Sequence, residues 1–95
     1  MVNKTRTVYL PERFKKEGSD VEHIRHVRTV LVVKEIVNCG MEQWEVTVAQ
    51  NLEVKTYTTW SKVGAWRIVR DKYPDLMEYA SEILGIYDTE RMRAW

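Results

Sequence analysis

Two alternating segments, Gln43–Ala49 and Glu53–Thr59, constrain this chain more than any other feature. Successive side chains of a strand point to opposite faces. Trp44, Val46 and Val48 therefore fall on one side of the first segment, with Gln43, Glu45 and Thr47 on the other. In the second, Val54, Thr56 and Thr58 oppose Lys55, Tyr57 and Thr59. Burial argues the register of the resulting hairpin, because a one-residue slip turns a whole strand over. A three-residue loop at Gln50-Asn51-Leu52 pairs Val48 with Val54 and Val46 with Thr56, whereas a two-residue loop sets Val48 opposite Lys55. The longer loop is expected, leaving Lys55, Thr47 and Tyr57 on the outward face.

An isolated hairpin is marginal in water, so the rest of the chain must supply strands or helices to cover it. Thr5–Leu10 alternates and reads as a short strand ended by Pro11, which has no N–H to donate to a ladder. Residues 11–23 are rich in charge, contain Gly18-Ser19-Asp20, and read as a mobile surface loop. Ile24–Val37 is β-branched and apolar, which favours a strand. Alternation breaks at Val30–Val33. That pattern fits a central strand covered on both faces, or one containing a bulge. Asn38-Cys39-Gly40 then supplies turn chemistry, since Asn and Gly tolerate positive φ.

Helical periodicity takes over after the hairpin. Thr59 or Ser61 is placed to cap a helix near 60–73, with Ala65, Trp66, Val69 and Tyr73 on one face and Arg67, Arg70 and Asp71 on the other. Gly64 falls near the outward side. Pro74 stops this helix. A second helix near 75–84 carries Leu76, Met77, Ala80, Ile83 and Leu84 on one face and Glu78, Ser81 and Glu82 on the other, with Gly85 as its cap. Strands followed by helices point to an α+β fold: three to four antiparallel strands (near 5–10, 24–37, 43–49 and 53–59) with both helices packed on one face. Residues 1–95 form one domain, with a tail at 86–95 whose Tyr87, Met92 and Trp95 point to docking rather than free disorder.

Apolar residues at 44% and charged ones at 31% suit a folded, soluble chain, and four Trp with five Tyr argue against disorder. No apolar run spans a bilayer and no secretory leader is visible, so no membrane contact is expected. The single Cys39 cannot form an internal disulfide, and a reducing cytoplasm is the expected location. A net charge of +1 gives no global field toward nucleic acid.

No catalytic signature appears. The four glycines are scattered, so no phosphate-binding loop can be built, and no cofactor is expected. His23 and His26 with Cys39 offer at most three ligands, and in a strand the two histidines point to opposite faces. No metal is expected there. The function expected is therefore a non-enzymatic binding module, a regulator or inhibitor that contacts another protein or a second copy of itself. Tyr57, Trp60, Arg67, Arg70 and Trp95 are its candidate contacts, since Trp, Tyr and Arg dominate protein interfaces. The alternative is a nucleic-acid-binding domain using the sheet face and first helix, through Arg13, Lys15, Lys16, Lys55, Arg67 and Arg70.

Overall fold

The computed structural model describes residues 2–86. Strands β1 (Asn3–Lys15), β2 (Glu22–Asn38), β3 (Met41–Gln50) and β4 (Glu53–Thr59) pair antiparallel in chain order. Helices α1 (Lys62–Lys72) and α2 (Met77–Leu84) follow, joined by a 3-10 turn at Pro74–Leu76. The expected α+β architecture forms, with both helices on one face of the sheet. Val8, Leu31, Val33, Trp44, Val46 and Val48 meet Ala65, Trp66, Val69, Leu76, Ala80 and Leu84 in a single core. Two of the four tryptophans are thus interior.

β1 and β2 are longer than the sequence implied. Pro11 does not end β1; it pairs with His26 inside an unbroken ladder from Asn3↔Lys34 to Lys15↔Glu22. A 2.8 Å bond from the Glu35 N–H to the Val2 carbonyl fixes which pairs exchange hydrogen bonds. Counting in twos from it, Pro11 falls in a pair that exchanges none. Its missing N–H faces the open edge of β1, where proline is tolerated. The loop expected at 11–23 shrinks to residues 16–21. Its former flanks form a two-stranded arm running past β3, which meets β2 only from Thr29 onward. The β2 ladder contains no bulge.

The second correction is the β3–β4 register. The turn has two residues, Asn51 and Leu52, at φ 51° and 65°. Two successive positive φ values are the turn that matches strand twist in a tight hairpin. Val48 consequently pairs with Lys55, and Val46 with Tyr57. Lys55, Tyr57 and Thr59 lie on the helix-bearing side, and Val54, Thr56 and Thr58 on the opposite one. The expected orientation is inverted.

α1 begins at a cap made by Ser61, whose Oγ accepts the Gly64 N–H at 2.9 Å. Gly64 is packed against its own chain: a Cβ there would collide with the Thr59 side chain and crowd the Ser61 hydroxyl. In α2 the stripe Met77, Ala80, Ser81 and Leu84 turns inward, so Ser81 is buried rather than outward. Its Oγ accepts the Trp66 indole N–H at 3.2 Å. No helix among the described residues is long and apolar enough to cross a membrane.

Candidate docking face

With the helices on one side, the other face of the sheet is uncovered by any described residue. Every second residue of each strand points there, and the register sets them in rows. Thr7, Val30, Ala49 and Val54 make one row; Thr5, Val32, Thr47 and Thr56 make the next. Neither row holds a charge. Val30, Val32, Thr47 and Ala49 are half-buried by their neighbours alone, while Val54 is 67% exposed. The Thr47 and Thr56 hydroxyls bond each other at 3.1 Å. Covering this pair therefore leaves those hydroxyls with a partner, which removes most of the penalty for drying a polar atom.

Beyond the uncharged rows the face becomes polar. Lys34 and Glu45 pair directly across β2 and β3, flanked by Asn3 and Thr58. At the other end lie Tyr9, 62% exposed, and Arg28. The β3–β4 turn is at this level too, and its Leu52 side chain is wholly exposed. Asn51 ties that turn to the helix-bearing side of the arm by donating to Glu12 at 3.5 Å, and Arg25 donates to the same carboxylate at 2.8 Å. The Arg25 hydrogen bond holds the Glu12 carboxyl below the usual carboxylate range. A flat, β-branched, uncharged centre with a polar rim is the anatomy of a protein contact. At its Lys34 end, Asn3, Lys34, Ile36 and Val37 line a shallow, open hollow.

The residues expected to bind are not brought together. Tyr57 points toward the helices, half-buried, with its hydroxyl 2.9 Å from that of Tyr73 and Lys72 above its ring. Burial, and then the Tyr57 hydroxyl, push the Tyr73 phenol up to about 12. Trp60 is 61% exposed at the corner between β4 and α1. Arg67 and Arg70 lie exposed on α1, with Arg70 bonded to Asp71 and stacked over Trp66. Trp95 lies outside the described residues, as does most of the expected tail.

The nucleic-acid candidates are likewise divided. Arg13 and Lys15 point to the open face of the arm, and Arg13 is paired with Glu22 at 3.6 Å. Lys16 opens the β1–β2 loop. Lys55 is on the helix-bearing side, and Arg67 and Arg70 are on α1 itself. These cations belong to opposite layers of the molecule. His23 stacks on Phe14 with ring centres 5.5 Å apart on the helix-bearing side, while His26 points to the open face. Cys39 lies in the turn at the far end of β2. No three His, Cys, Asp or Glu side chains converge on a metal position among the described residues.

Val30, Val32, Ala49 and Val54 are the surface residues that reading for Trp, Tyr and Arg passes over. Their sequence signal is the broken alternation at Val30–Val33, where every second apolar residue faces the uncovered side. In comparisons with known proteins the chain matches no family model, no curated protein and no solved structure.

Proposed function

We propose that this protein is a non-enzymatic binding module of the cytoplasm, a regulator or inhibitor that acts by laying the open face of its sheet against another protein surface. The observation that carries this reading is the pair of adjacent uncharged rows centred on Val30, Val32, Thr47 and Ala49. Valines suit the strand, yet on a face left to water an antiparallel sheet usually carries polar residues. Contiguous apolar patches on soluble domains mark interaction sites. The exposed, unpaired Cys39 supports a reducing compartment.

A charge placed in the middle of the patch tests the idea. Val32→Glu and Thr56→Lys variants should retain the fold by circular dichroism and lose every protein contact, self-association included, that the wild type makes in quantitative affinity capture. Contacts that survive both substitutions unchanged, or no contact by the wild type at all, overturn the reading.

A further inference from the structure

We infer that the occupant of the open face is a second copy of this chain, packed sheet to sheet about a twofold axis that runs along the strands between β2 and β3. The inference rests on the docking-face reading above and specifies its partner. The arrangement of charge selects a second copy, and the matched area is that of a reversible dimer.

Charge comes first. Lys34 and Glu45 stand side by side in one row, one on each side of the proposed axis. A half-turn about that axis exchanges β2 with β3 and keeps each row at its own level. Lys34 of each copy then faces Glu45 of the other. The uncharged rows meet in register, Val30 against Ala49, Val32 against Thr47 and Thr7 against Val54. A twofold axis across the strands instead stacks each strand on itself and carries the Lys34–Glu45 row away from its complement. The face is self-complementary in one orientation, as a contact between identical surfaces requires.

The same rotation uses two further exposed residues. The β3–β4 turn sits one row beyond Gln50↔Glu53, level with Tyr9 and Arg28. The half-turn places it over the space between β1 and β2 of the second copy, which brings Leu52 to the level of Tyr9. Leu52 is held at φ 65°, a left-handed conformation that a bulky residue rarely adopts. The dimer gives this exposed apolar side chain a surface to meet that no described residue of its own chain supplies.

The matched area is that of a small interface. Strands about 4.8 Å apart, rising about 3.4 Å per residue, give each residue about 16 Å² of sheet, so the rows in which β1 faces β4 and β2 faces β3 present on the order of 500 Å². A standard specific interface buries about 800 Å² per partner, and weaker, reversible ones bury less than about 600 Å². Sheets packed face to face align to within about 30°, which leaves this row matching intact near the axis.

Sedimentation velocity across a wide range of protein concentration tests the inference, with charge-reversed variants as probes. The wild type should reach dimer mass. K34E leaves two acidic groups in the row and E45K leaves two basic ones. Each alone should raise the dissociation constant at least about tenfold, because like charges face each other across the axis. An equimolar mixture of the two should recover the dimer as a heterodimer, a result no effect within one chain can produce.

Several outcomes overturn it. A dimer indifferent to Val32→Glu is joined at a strand edge instead. Recovery that fails in the mixture rejects the proposed axis. A monomer at every concentration, or a monomer that dimerises only after removal of residues 87–95, removes the second copy as occupant. In the monomeric cases, face-dependent capture of a different protein leaves the docking-face reading standing, and its absence removes both.

Discussion

Leu52 and Gly64 show how differently two single residues bear on this fold. Gly64 is required by close approach, since the Thr59 side chain occupies the space a Cβ needs. Leu52 is the reverse case: among the described residues nothing covers its side chain, and its backbone favours glycine. Leu52→Gly converts the turn to Asn-Gly, the pair best suited to a two-residue hairpin. Removing the left-handed penalty of about 1–2 kcal/mol, less the roughly 0.5–1 kcal/mol of added freedom in the unfolded chain, should stabilise the monomer by up to about 1.5 kcal/mol. Urea unfolding at low protein concentration measures that gain. The same variant should dimerise more weakly. A loss of stability in the dilute variant means that Leu52 is held by contacts within its own chain.

Among the elements, the α1–α2 pair is held by more than apolar contact. Trp66 is 4% exposed, and its indole N–H has one partner, the Ser81 hydroxyl. Ser81→Ala removes that acceptor and leaves a buried donor unpaired, at a cost of about 1–3 kcal/mol. Trp66→Phe in the same background should recover part of the loss, because it removes the orphaned donor. Equilibrium unfolding of the two single variants and the double variant supplies the coupling; strict additivity means the bond contributes nothing. The Ser61 cap, the inward face of Ala65, Trp66 and Val69, and the stop at Pro74 are all legible in the sequence, because helix periodicity and capping are local signals. The turn after β3 is not. Choosing three loop residues matched Val48 to Val54 by burial, yet β4 is an edge strand only partly covered by α1, so burial does not decide its register. Tyr57 does, by reaching Tyr73 from the helix-bearing side. Pro11 misleads for a similar reason: its effect on a strand depends on whether that strand is an edge and which way its nitrogen faces. The open face of β2 is half-legible. The broken alternation at Val30–Val33 is visible, but the sequence does not say whether the second apolar side is covered within the chain.

The described residues form a slab, 16 Å through its thinnest dimension and 56 Å along its longest, with a core on one side of a single sheet. A thin two-layer domain of this size buries a modest share of its surface and is correspondingly marginal in stability. Face-to-face pairing converts two such slabs into four layers, helix, sheet, sheet and helix, and makes stability depend on protein concentration. Above the dissociation constant, each tenfold rise in concentration adds about 1.4 kcal/mol per dimer, or about 0.7 kcal/mol per chain. For a domain of about 100 residues that shifts the melting temperature upward by roughly 3–5 °C per decade of concentration. The wild type should show this slope by scanning calorimetry, and Val32→Glu should melt at one temperature whatever its concentration. Dilution of the wild type should bring its melting temperature down toward that of the variant, since both then report the isolated slab. A wild-type melting temperature that stays fixed from dilute to concentrated solution means that the valines of β2 contribute nothing to stability through a second copy.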